Sequence, residues 1–214
     1  MANKPRESDL TEAKVDTIRN SDLVERRRGQ ILDAALKLFL AKGYASTTIR
    51  DICAASGVNQ ASLYDYIANR KDILRRLLNR VWFRPQNRFV GDQLLEDPSQ
   101  DLAATLRTHF REQWTANREG IQLAYRTVPH LDAEDRALLR EREDQQTASL
   151  AKYLCRNAGL PEDDDKAKVI ANLIIYLNSF GPMRDWLTRD VDLETALDAT
   201  VDAVIAMVGT LKRD

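Results

Sequence analysis

Between residues 26 and 42 the apolar side chains Ile31, Ala34, Ala35, Leu38 and Phe39 recur at i, i+3, i+4, i+7 and i+8, the spacing of a helix with one buried stripe. Gly43 is the expected stop, a residue able to turn left-handed just past a helix end, with Tyr44 folding back. Thr47 is placed to offer its hydroxyl to the free N–H groups of a short second helix over residues 48–55. Gly57 marks a turn that requires positive φ, and another short helix is expected over residues 60–66. Ile52, Val58, Leu63 and Tyr66 fix the two short helices against each other and against the first, with Cys53 where the approach is close. Two helices joined in this way form a helix-turn-helix, whose second helix fits the major groove of DNA.

Longer helical stretches follow. They are expected over residues 71–93 with a break at Pro85, then 99–117, 119–128, 132–157, 162–180 and 193–213. Asp97-Pro98, Pro129, Gly159-Leu160-Pro161 and Gly181-Pro182 punctuate them. In the last two, Val169, Ile170, Leu173, Ile174, Ile175, Tyr176, Leu177 and Phe180 wrap nearly around one helix, and Leu197, Val201, Val204, Ile205, Val208 and Leu211 stripe the other. A helix apolar on most sides needs burial on two fronts. The body supplies one and a symmetry mate the other, so Ile170, Leu173, Ile174, Leu177, Leu197, Val201, Val204, Ile205 and Val208 are the expected homodimer interface.

With 43% apolar residues, 30% charged, and only 8 Gly and 6 Pro in 214 residues, the composition favours an all-α fold over a turn-rich β protein. Three segments are expected: an amino-terminal arm over 1–22, a helix-turn-helix domain over 23–70 and a helical body over 71–214. The apolar run over residues 169–177 is too short to span a bilayer and the amino terminus lacks a signal-peptide core, so a cytoplasmic protein without a membrane partner is expected. Two distant cysteines, Cys53 and Cys155, without a CxxC pair indicate neither a disulfide framework nor a zinc site. No metal, cofactor or enzymatic activity is expected, since the chain has no HExxH, phosphate loop or Gly-x-Ser-x-Gly.

Charge is sorted along the chain. Residues 23–80 hold 11 Lys and Arg against 5 Asp and Glu, and residues 81–214 hold 17 against 23. A basic amino-terminal module suits a phosphate backbone, and the acidic remainder is repelled by one. With the apolar positions of the helix-turn-helix turned inward, Asn59, Gln60, Ser62 and Tyr64 or Asp65 are left outside. Asn and Gln present a donor and an acceptor together, the pair that matches adenine N6 and N7; the alternative role for Asn59 and Gln60 is helix capping. Arg26, Arg27 and Arg28, at a helix start where positive charge is unfavourable without a partner, are candidates for adjacent phosphates or the minor groove.

The run Gly57-Val58-Asn59-Gln60-Ala61-Ser62-Leu63-Tyr64-Asp65-Tyr66-Ile67, followed by Asn69-Arg70-Lys71-Asp72-Ile73-Leu74, resembles the signature of the TetR family of transcriptional regulators. Residues 35–51 resemble its first two helices. The resemblance implies a ligand-responsive regulator, most simply a repressor, that binds a palindromic operator in double-stranded DNA as a homodimer and is released by a small-molecule effector. On the family pattern Thr48, Arg50, Tyr64, Tyr66 and Lys71 hold phosphates while Asn59, Gln60 and Ser62 face bases. Asp65 and Ile67 depart from the His or aromatic residue and the Phe common there, so no relative's operator transfers to this chain. The alternative is a helix-turn-helix protein that acts without an effector.

For an effector, His109, Phe110, Trp114, Tyr125 and Tyr176 are candidates to line an apolar cavity with a few orienting groups. Arg126 with His130, and Arg184 with Trp186, are candidates to meet an anionic head group such as a carboxylate or acyl-CoA phosphate. The expected effector is therefore largely apolar, with an acidic group as an option.

Overall fold

The structure, a computed structural model, describes residues 10–15, 20–83 and 88–211. It is all-α and divides into two compact units, Met1–Arg84 with Gln122–Leu138, and Pro85–Ile121 with Leu139–Asp214. The expected boundary at residue 70 therefore falls inside the first unit, at the start of its fourth helix. The break expected at Pro85, the helix end at Arg213 and residues 1–9 and 16–19 of the expected arm lie outside the described residues. Among the described residues no helix is long and apolar enough to cross a membrane.

The first unit begins with helix α1 (Ser21–Lys42), capped by the Asn20 side chain and closed by Gly43. Its inward stripe Ile31, Ala34, Ala35 and Phe39 is buried, and the ring of Tyr44 folds back edge-on to Phe39, 5.1 Å between centroids. Helix α2 (Ile49–Ser56) starts one residue later than the sequence suggested, with Thr48 as its cap. The carboxylate of Asp51 accepts the Thr48 N–H at 2.7 Å while its own N–H reaches the Thr48 hydroxyl at 3.2 Å, a reciprocal capping box. Thr47 instead lies buried and donates its hydroxyl to the Gly43 carbonyl at 2.8 Å. Gly57 ends α2 at φ +69°, a conformation that any Cβ would strain. Helix α3 (Gln60–Leu63) is a single turn, and α4 (Arg70–Val81) buries Ile73, Leu74, Leu77 and Leu78.

Gln122–Leu138 also belongs to this unit. It holds most of α7 (Arg118–Thr127), a 3-10 turn over Val128–His130 and the first residues of α8 (Ala133–Ala158). Arg126 donates to the Leu40 carbonyl at 2.7 Å and the His130 ring lies 5.5 Å from that of Tyr44. Both residues serve this unit's own packing, not the anion contact expected for them.

The amino-terminal segment differs most from expectation. Residues 10–15 are not a free arm: Leu10 is buried and the segment is hydrogen-bonded along α4.

The second unit contains α5 (Val90–Glu96), α6 (Leu102–Trp114), the remainder of α8, α9 (Asp165–Leu177), α10 (Phe180–Thr188) and α11 (Leu193–Gly209). Its core joins Leu106, Phe110, Leu150, Leu154, Ile174 and Val204. Gly181-Pro182, expected to break the chain, instead lies in the first turn of α10, where the N–H that proline lacks has no intrahelical partner to lose. Gly181 is required there because a Cβ would fall 2.5 Å from the Trp114 ring.

Candidate functional site

At the tip of the first unit, Asn59 caps α3, its side-chain oxygen accepting the Ser62 N–H at 2.8 Å. Capping occupies the oxygen and leaves the amide nitrogen of an exposed residue as donor. Gln60 is exposed at the first position of the helix, and Ser62 is half-buried. Tyr64 is 46% exposed, whereas Tyr66 and Ile67 join Leu63 in the core behind the tip. Tyr66, expected at a phosphate, thus anchors α3 from behind with its ring.

The basic and hydroxyl candidates divide similarly. Thr48 and Arg50 are exposed at the start of α2. Asp51 beside them pairs with Lys42 at 2.7 Å, and Lys42 together with the Thr48 donors holds its carboxyl far below the usual range. Arg26 is exposed and Arg27 donates to Gln30 at 3.0 Å. Arg28 turns inward, giving its Nε to the Tyr66 carbonyl at 2.9 Å and its Nη2 to the Val15 carbonyl at 3.5 Å. Lys71 pairs with Asp132.

In the second unit Phe110 and Trp114 are core residues, their rings stacked 5.9 Å apart, and Trp114 donates its indole N–H to the Leu177 carbonyl at 3.1 Å. His109, between the two chemistries, is half-buried as a residue, and its Nε2 is shut off from solvent without a protein partner. Burial pushes its pKa down to about 4 against a weaker opposing bond from Asn178, so the imidazole is neutral near neutral pH. An open cleft of about 470 Å³ adjoins it, lined by Arg88, Gln93, Gln100, Thr105, His109 and Glu112 among others; this lining is polar, not the apolar one expected. Tyr176 and Trp186 are about 60% exposed, at 60% and 62%, and Arg184 lies over the Trp186 ring, 5.8 Å from its centroid. Tyr125 belongs to the first unit and is exposed there.

The dimer candidates split by phase. Ile170, Ile174, Leu197, Val201 and Val204 are buried within the unit's own core, so they support the outer face and do not form it. Leu177 and Val208 pack against that core. The face left outside is Val169, Leu173 and Tyr176 on α9, at i, i+4 and i+7, with Ile205 on α11.

Residues 31–77, all in the first unit, match the family model for bacterial regulatory proteins of the tetR family. The HTH-type transcriptional regulator HbdR of Aromatoleum sp. (strain CIB) is 30% identical over 149 residues, 67% of this chain and 62% of that protein. The chain belongs to the TetR family. Its match thus spans less than two thirds of the length of HbdR. TcmR of Streptomyces glaucescens, a regulator of the same type, is 24% identical over 197 residues, 85% of this chain and 84% of its own. A gamma-butyrolactone receptor shares the fold at a TM-score of 0.58 and 21% identity, covering 88% of this chain and 99% of its own. NalD, the secondary repressor of the MexAB-OprM efflux pump in Pseudomonas aeruginosa, also does so at 0.58 and 20%, covering 87% and 98%.

The side chains of this TetR-family chain that sequence reading passed over are those that brace its head from inside. Arg75 forks onto the buried Asp135 through two contacts of 2.9 Å each, and Asp72, Arg76 and Asn79 hold residues 10–15. Asp72 and Arg76 stand four apart on one helix, the spacing of an ion pair, and that was the only local sign.

Proposed function

We propose that this chain is a DNA-binding transcriptional regulator, acting as a homodimer on a palindromic operator, most simply as a repressor released by a small-molecule effector. The observation that carries the reading is the exposed Asn59-Gln60 tip of α3, set on buried Leu63, Tyr66 and Ile67. A polar tip on a rigid apolar footing is what base reading in a major groove needs, since donors and acceptors must be held in register with base edges. Thr48, Arg50 and Tyr64 are the proposed phosphate contacts, with Arg26 and Arg27 as the basic approach. Its relatives are named as transcriptional regulators, which favours regulation over catalysis.

Footprinting of the purified protein on genomic DNA tests this and supplies the operator. On the selected duplex Gln60→Ala is expected to weaken binding by about 1–3 kcal/mol, with little change on random-sequence DNA. Equal losses on both would remove Gln60 from base reading.

The exposed Val169, Leu173 and Tyr176 stripe of α9, together with the exposed Ile205 of α11, is proposed as the dimer face, an apolar surface that a second copy would cover. Leu173→Glu places a charge there without touching the core and is expected to weaken self-association by about 2 kcal/mol or more. Light scattering across a dilution series would read this, and an unchanged dimer would move the interface elsewhere.

The effector is proposed to be taken by the second unit, whose His109 cleft offers a neutral imidazole and amide groups. One solved structure sharing the fold is named as a receptor for a gamma-butyrolactone. The reading without an effector draws support from the filled Phe110–Trp114 cluster. Thermal shifts against panels of lactones, fatty acids and aromatic acids separate the two: stabilisation with loss of operator binding supports an effector, and silence from all three supports constitutive action.

A further inference from the structure

Residues 10–15 have no regular secondary structure, and side chains of α4 read the backbone of residues 10–13. Asn79 takes the Leu10 N–H on its oxygen at 2.9 Å and gives its own N–H to the Leu10 carbonyl at 2.8 Å. Asp72 accepts the Ala13 N–H at 2.9 Å, and Arg76 donates to the Ala13 carbonyl at 2.6 Å and to the Glu12 carboxylate at 2.5 Å. Arg75 adds the Thr11 carbonyl at 3.3 Å. A helix has no spare backbone groups along its side, so the backbone of another segment can dock on it only through such side chains. Asp72, Arg75, Arg76 and Asn79 form one stripe, spaced i, i+3, i+4 and i+7. Leu10 closes the far end, fully buried.

One of these groups, Asp72, also holds the turn that leaves α3, and Arg28 on α1 holds it from the other side. The second oxygen of Asp72 accepts the Ala68 N–H at 3.0 Å and the Arg76 Nε at 3.1 Å, and Arg28 bridges the Tyr66 and Val15 carbonyls. A one-turn helix cannot set its own direction, because so short a helix is unstable alone. We propose that residues 10–15 are a strap that positions the recognition helix, and that Asp72, with Arg28, is the positioning residue through which it acts. The strap touches no base. It fixes the turn over residues 66–68, and with it the angle at which Asn59 and Gln60 are presented.

The proposal rests on the DNA-reading role of α3, and its test separates the two. In the full chain, Leu10→Ser with Asn79→Ala loosens the strap without altering charge or the recognition helix. A second variant lacking residues 2–15 removes it entirely, and since that stretch holds three Lys and Arg against three Asp and Glu, its loss leaves net charge unchanged. Amide exchange is read at Ala68 and, as a fold control, at Ile31 and Ala35 in the first helix. Ala68 is expected to exchange at least ~10-fold faster in both variants while the first-helix amides stay protected. Affinity for the footprinted duplex is expected to fall about 10-fold, with random-sequence binding and its salt dependence unchanged. Unchanged Ala68 exchange overturns the strap as a positioning device. Faster exchange with unchanged affinity for the footprinted duplex also overturns it, leaving residues 10–15 as packing only. Should the wild-type chain footprint no duplex, the DNA-reading role itself fails, while the Ala68 exchange still reports on the strap.

Discussion

Arg75→Ala is expected to destabilise the first unit by about 3–5 kcal/mol, more than any single change at the exposed Asn59–Gln60 tip. The carboxylate of Asp135 is 1% exposed and receives the Arg75 guanidinium fork, Nε to one oxygen and Nη2 to the other, each at 2.9 Å. Truncating Arg75 leaves that carboxylate buried and unmatched, and the cost is its desolvation rather than the net value of the pair. Lys71→Ala provides the contrast. Its pair with Asp132 is more than a third exposed on both sides, so solvent screens it and at most about 1 kcal/mol is at stake. Denaturant unfolding followed by Trp82 fluorescence, the tryptophan of the first unit, would compare them. Arg75→Met combined with Asp135→Leu should recover most of the loss, because an apolar pair of similar volume leaves no charge stranded. If Arg75→Ala costs no more than Lys71→Ala, water reaches Asp135 and the brace is a surface contact.

The local grammar of the head was readable because each signal sits within a few residues of its effect. The α1 stripe, the Gly43 stop and the left-handed Gly57 are of this kind. Even the one-residue error at the start of α2 had a local remedy: Thr47 and Thr48 both suit a cap, but only Thr48 has an acid three positions on, Asp51, to close the capping box. Gly181-Pro182 misled because the same dipeptide serves to end a helix or to begin one. Phase was hidden in α9, where Ile170 and Ile174 alternate with Val169 and Leu173; both stripes are apolar, and nothing in the residue types says which faces the core. The strap was out of reach for a different reason. Its partners on α4 lie 59 to 69 residues away, and what they chiefly recognise is main chain, which every sequence supplies equally.

Acidification from about pH 7 to about pH 5 is expected to cost the second unit about 2 kcal/mol through His109 alone. Burial holds its pKa at about 4 in the folded chain against 6.5 for a free imidazole. Below about pH 6.5 the unfolded chain therefore takes up a proton that the folded chain refuses until about pH 4. Stability falls through that window as pH drops, and changes no further from this source below it. Glu194, held at about 2 mainly by Arg111, loses its contribution only below the ordinary carboxylate range of about 4.5, outside the interval chosen. Glu143, raised by burial, contributes with the opposite sign just above that range. Comparison with His109→Gln cancels both, since they are present in each protein. The wild-type denaturation midpoint should fall between the two pH values and that of His109→Gln should stay nearly flat; equal slopes would mean that the imidazole already meets solvent. The same neutrality bears on recognition. A ligand that donates a hydrogen bond meets an uncharged ring at no protonation cost, whereas an anion that needs the imidazolium must first raise its pKa. Donor-bearing effectors should therefore bind alike at about pH 7 and pH 8, and anionic ones should weaken as pH rises.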